Sequence, residues 1–90
     1  MIDFTPIKSA KLGPEDLRRL CDVSRVTCSN WLNGHTHPHT LLTGRVLKVV
    51  DAVDAAVSLG LLPVPFRVMR RERAFYIQNA LEQAQADTAS

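Results

Sequence analysis

The stretch LGPEDLRRLCDVSRVTCSNWLNG, residues 12–34, decides how the rest of the chain is read. Pro14 suits the first turn of a helix, and Glu15 and Asp16 follow where carboxylates favour the positive end of the helix dipole. Leu17, Leu20 and Cys21 recur at i, i+3, i+4 and share one face. Asp22-Val23 interrupts the pattern. Ser24 is placed to cap another helix, which runs to about Leu32. Its apolar positions, Cys28, Trp31 and Leu32, repeat the same spacing. Asn33-Gly34 closes it, since both residue types tolerate positive φ. Most of its other positions carry short polar groups: Thr27, Ser29 and Asn30, with Arg25 at the start. A helix facing only solvent would draw on Glu and Lys, which residues 24–34 lack.

The flanking sequence extends the helical pattern in both directions. Thr5-Pro6 supplies a hydroxyl cap and a first-turn proline for a short helix that Gly13 is expected to end. HTHPHT, residues 35–40, reads as loop. From about Thr40, Leu42, Val46, Val49, Val50, Val53 and Val57 recur with helical spacing up to Gly60. The β-branched content could suggest a strand, but the length and Asp51/Asp54 favour a helix. LLPVP, residues 61–65, reads as an extended connector. After Pro65 a last helix is expected through RVMRRERAFYIQNALEQA, residues 67–84, with a stripe of Ile77, Ala80, Leu81 and Ala84. The arginines at 67, 70, 71 and 73 crowd the start of this helix against its dipole, which hints at a partner; pairing with Glu72 and solvent is expected, with phosphate contact as the alternative. The tail, DTAS at 87–90, is expected to fray. The fold class is all-α: a compact bundle of about five helices, with residues 1–60 as one unit and 61–90 as a connector plus C-terminal helix.

Composition is that of a single globular domain, 90 residues with 46% hydrophobic and 22% charged. No apolar run approaches the ~20 residues that span a bilayer. The opening MIDFTPIKSAK has no apolar core of a signal peptide, so a cytoplasmic location is expected. Cys21 and Cys28 form no CxxC pair and are expected as reduced thiols. The net charge of +2 is unevenly placed. Residues 1–50 hold seven Lys or Arg against four Asp or Glu, residues 51–90 four against five, and all three histidines lie in the first part. The front half is the better candidate for meeting an anion.

Two short helices joined by a tight turn, the second rich in small polar groups, describe a helix-turn-helix. Residues 12–34 resemble that of the Cro/CI-type repressors of phages and bacteria through Leu12, Glu15, Leu17, Val23, Ser24, Arg25, Thr27, Ser29, Trp31 and Gly34. The resemblance extends over roughly residues 5–60. The chain departs from it at Arg18, where a small residue is usual, at Asp22, where glycine is frequent, and at Cys28, where an aliphatic residue is usual. The resemblance implies a sequence-specific double-stranded DNA-binding transcriptional regulator, a homodimeric phage or prophage-type repressor on a palindromic operator. By that resemblance Arg25, Val26, Thr27 and Asn30 meet bases, and Ser24 and Asn33 meet phosphate; Ser29 is a further candidate for phosphate contact.

Base chemistry agrees with these assignments. Arg25 can pair with guanine O6 and N7, Asn30 with adenine N6 and N7, and Val26 or Thr27 with a thymine methyl. His35, His37, Arg45 and Lys48 are expected at the phosphate backbone. Phe75, Ile77, Ala80, Leu81 and Ala84 are the candidate dimer interface. The alternative reading is a protein-interaction module, such as an antitoxin or phage accessory factor, and a regulatory protein partner is compatible with either. The spacing C-x6-C-x6-H-x-H-x-H matches no standard zinc module, so no metal is expected. Neither a cofactor nor an enzymatic activity is expected, since the chain shows no catalytic triad order and no glycine-rich phosphate loop.

Overall fold

The computed structural model describes residues 2–89, with no strand among them. Its helices are α1 (Thr5–Ser9), α2 (Pro14–Cys21), α3 (Arg25–Leu32), α4 (Thr40–Ser58) and α5 (Arg73–Ala89), with one 3-10 turn at Arg70–Glu72. The expected all-α fold is what the chain adopts.

Local chemistry sets the helix ends. Asp3 accepts hydrogen bonds from the Thr5 backbone N–H at 2.9 Å and the Thr5 hydroxyl at 2.5 Å. Those bonds hold the Asp3 carboxyl below its ordinary pKa. Thr5 is therefore already helical, and Asp3 supplies the cap expected from it. At the other end of α1 the left-handed residue is Lys11, with φ of 57°, where Gly13 was expected. Gly13 is extended and precedes α2, its N–H donating to Asp16 Oδ2 at 3.1 Å. The turn after α2 places Asp22 at φ 57°, a conformation that aspartate tolerates better than most side chains. The last helix begins at Arg73, six residues later than expected, because residues 66–72 form turns instead. The backbone of α5 is helical through Ala89, and Ser90 lies outside the described residues.

The hub is α4. It packs against α1, α2 and α5, and α3 packs chiefly on α2. Val46, Val50, Val53 and Ala56 form its buried face. Ile77, Ala80, Leu81 and Ala84 of α5 lie in the same hydrophobic cluster, together with Leu62 and Ile7. One continuous core joins residues 62–84 to residues 2–56. This packing overturns one expectation. The stripe assigned to a second copy is instead the inner face of α5 within its own chain; of the five interface candidates only Phe75 is exposed. The connector is tied down by the Tyr76 hydroxyl, which donates to the Leu61 carbonyl at 2.8 Å.

A polar link joins α5 to α2. Arg73 donates to Asp16 through Nη2 at 3.0 Å and Nε at 3.4 Å, and to the Lys11 carbonyl at 3.2 Å. Asp16, not Glu72, is thus the arginine's partner; no salt bridge to Glu72 exists among the described residues. The bidentate geometry fixes both helix starts at once. Asp16→Ala and Arg73→Ala should each lower unfolding free energy by about 1–2 kcal/mol. The double variant should lose less than the sum in denaturant titration. Strict additivity would show that the pair does not couple the two helices.

Candidate nucleic-acid interface

An eight-residue helix such as α3 is too short to be stable alone, so its setting must supply the hold. Ser24 is the N-cap, its hydroxyl oxygen accepting from the Thr27 N–H at 3.1 Å. The Ser24 and Thr27 hydroxyls are also hydrogen-bonded to each other at 2.7 Å. At the C-terminus Gly34 is left-handed with φ of 76°. Its N–H donates to the Trp31 carbonyl at 3.2 Å, and the His35 N–H donates to the Asn30 carbonyl at 2.9 Å. This paired closure is a Schellman motif.

The inner face of α3 is apolar. Cys28 is fully buried and Trp31 is 4% exposed. The indole stacks on Phe4, with ring centroids 6.1 Å apart and planes at 18°. Leu32 and Val23 pack at the margin of the core. Burial pushes the Cys21 thiol up from 9.0 to about 11, and raises Cys28 in the same direction. Both remain protonated at neutral pH, the form least suited to binding a metal. No group of three or more His, Cys, Asp or Glu side chains placed to hold a metal occurs among the described residues.

The outer face carries the candidate base readers. Arg25 and Val26 are exposed, Val26 at 70%, and Asn30 is half-buried. Among the described residues, neither the Arg25 guanidinium nor the Asn30 amide is engaged in a side-chain hydrogen bond. Thr27 is half-buried and has a hydroxyl bond to Ser24, so its methyl is its more available part. Between Val23 and Val50 the chain contains no Asp or Glu. This run includes the whole outer face of α3, the following loop and the first half of α4, so an approaching phosphate meets no carboxylate from it.

The phosphate candidates divide. Ser24, Asn33, His35 and His37 are exposed around the ends of α3, while Ser29 is half-buried and accepts a long 3.4 Å bond from the Asn33 amide. Arg45 is used by the fold itself, since its Nη2 donates to the Cys21 carbonyl at 2.7 Å. That carbonyl belongs to the last turn of α2, where acceptors lack helical partners. Arg45 therefore clamps the turn between α2 and α3 to α4. Lys48 lies along the groove between α4 and α5 with Asp51 and Gln85, which no residue of α3 lines. The structure thus does not bring Lys48 to α3.

Arg18 is accommodated by turning outward to Glu15, with Nε 3.1 Å from Oε1. This bond lowers the pKa of Glu15 and raises that of Arg18. Sequence reasoning missed His39, whose Nδ1 caps α4 by accepting from the Leu41 N–H at 3.2 Å. Its position just before the helix was the available signal. It also missed the roles of Asp3, Arg45 and Arg73; for the two arginines, partners distant in sequence leave no local pattern.

Comparison with protein-family models, curated proteins and solved structures returns no match for this chain. No helix is long and apolar enough to cross a membrane among the described residues.

Ser24→Ala should lower stability by about 1 kcal/mol, while Ser24→Gly should cost only a few tenths, both read from denaturant midpoints. Equal stability of all three proteins would show that the cap contributes nothing. The buried thiols give a second test. The raised folded pKa of Cys21 means that its contribution to stability is fully present below pH 9 and declines as pH rises towards 11. Cys21→Ala should flatten that decline, and an unchanged slope would contradict it.

Proposed function

We propose that this chain is a sequence-specific double-stranded DNA-binding regulator that presents α3 to the major groove. The carrying observation is the pairing of opposite faces on one short helix. Cys28 and Trp31 bind it to the core, while Arg25, Val26 and Asn30 stand outside without side-chain hydrogen bonds that would compete for them. A major groove admits one such helix, and short side chains let its backbone approach the base edges. Arg25 supplies a guanine fork, Asn30 an adenine fork, and Val26 with the Thr27 methyl an apolar contact for thymine. Ser24, Ser29, Asn33, His35 and His37 are the backbone contacts, with Arg45 contributing mainly by fixing the turn. The resemblance of residues 12–34 to Cro/CI-type repressors supports the same reading.

Repression from a palindromic site by two copies is part of this proposal, because joined half-sites multiply a modest single-domain affinity. A second copy would meet the first through a surface other than the buried stripe of α5.

The test is selection of binding sites from random duplexes by the full chain, followed by binding of variants to the selected site. Arg25→Ala and Asn30→Ala should each cost about 1–3 kcal/mol and relax preference at one base pair. A palindrome among the selected sites is the expected result for two copies. Failure to enrich any site, or equal losses on selected and scrambled duplexes, would overturn the base-reading assignment.

A further inference from the structure

The side of the molecule formed by α2, α5 and the connector has its own surface. Three adjoining hollows share residues and form one trough. The first lies between α2 and α5 and includes Leu20, Phe75 and Arg19. The second shares Asp16, Arg19 and Ala74 with it and adds Glu15, Arg70 and Arg73. The third continues through Arg70 and Arg73 to Val64 and Phe66. Phe75 is 71% exposed and Phe66 fully so. Two bare phenyl rings along one trough are costly in water and gain when covered.

The charge around those rings narrows what covers them. Arg67, Arg70 and Arg71 are exposed and form no ion pair among the described residues. Arg19 is 3.8 Å from Glu15, which Arg18 already holds. Asp16 is occupied by Arg73. Glu72 is the remaining carboxylate of the segment and stands among three arginines in sequence. The trough is therefore apolar at its two ends, at Leu20 with Phe75 and at Val64 with Phe66, and charged in its middle, where Arg19, Arg70 and Arg73 outnumber Glu15 and Asp16. Arginines outnumber carboxylates on this face, so two copies meeting across a two-fold axis would bring together two net positive surfaces, which disfavours self-pairing. Duplex phosphates would satisfy the guanidinium groups but leave the phenyl rings without a partner.

We propose that this trough docks a segment of a partner protein that alternates acidic and bulky apolar side chains. The apolar anchors cover Phe75 and Phe66, and the carboxylates meet Arg19 and Arg70. Arginines and aromatic rings are the residue types that dominate binding energy at such surfaces. The site lies apart from the outer face of α3 and does not depend on DNA recognition.

The test pans a phage-displayed library of random 12-residue peptides against the full chain. Enriched peptides should combine Asp or Glu with Leu, Phe or Trp. A synthetic peptide of the leading sequence should shift backbone amide resonances of Arg19, Leu20, Arg70 and Phe75. Phe75→Ala and Arg70→Glu should each weaken it by about tenfold or more, with circular dichroism unchanged since both side chains are exposed. Replacing the peptide's acidic residues with lysine should abolish binding, a check that needs no variant of the protein. The proposal is overturned if enriched peptides lack acidic residues or if the shifts fall on α3. It is also overturned if Phe75→Ala dissociates a dimer of the free chain in sedimentation. Loss of random-duplex binding by Arg70→Glu to the same degree as peptide binding would overturn it by making the arginines phosphate contacts.

Discussion

Burial of Cys28 and Trp31 behind α3 is the constraint on which the rest of the molecule depends. A helix of eight residues gains little from its own hydrogen bonds, and tertiary packing must hold it. Here one apolar seam does so, with Phe4 stacked on the indole from the N-terminal segment. Closure at both ends, by Ser24 and by Gly34, leaves few backbone groups unsatisfied. The opposite face leaves Arg25, Val26 and Asn30 without side-chain hydrogen bonds to the fold among the described residues, while Thr27 is tied to the Ser24 cap.

That seam is useful only if its backing is rigid. The α2 helix provides the backing and is fixed at each end by an arginine from elsewhere in the chain. Arg73 holds its first turn through Asp16, and Arg45 holds its last turn through the Cys21 carbonyl. Both links connect to the α4–α5 pair, whose buried valines and alanines form the centre of the core. Two cations that sequence reading assigned elsewhere, Arg45 to phosphate and Arg73 to Glu72, thus act in the architecture. The C-terminal helix belongs to the same scaffold. Its inner stripe closes the monomer, while Phe75 and the exposed arginines form the outer trough.

Much of this was legible in the sequence because it is periodic or local. The spacing of Leu17 with Cys21, and of Cys28 with Trp31, set the facing sides of two short helices. Ser24 and Gly34 marked the ends of α3 by residue type alone. The long helix from Thr40 to Ser58 was evident despite its valines, because its length and two aspartates oppose a strand. What escaped was long-range or degenerate. A stripe such as Ile77–Ala84 looks the same whether it meets its own core or a second copy. The start of α5 was misplaced because an arginine-rich segment favours helix while the structure turns at residues 66–72. The αL position fell on Lys11 instead of Gly13 because α1 is shorter than its apolar residues suggest. In the candidate site, the polar face of α3 was readable, but the links at Arg45 and Arg73 span 24 and 57 residues and have no local signature.

The central claim is that the outer face of α3, and no other surface, meets base edges. It is tested most directly by following the backbone amide resonances of the full chain as a duplex chosen by site selection is added. The largest changes are expected at residues 24–30, with a scrambled duplex moving them far less. Changes concentrated on α4 and α5, or identical responses to both duplexes, would contradict it.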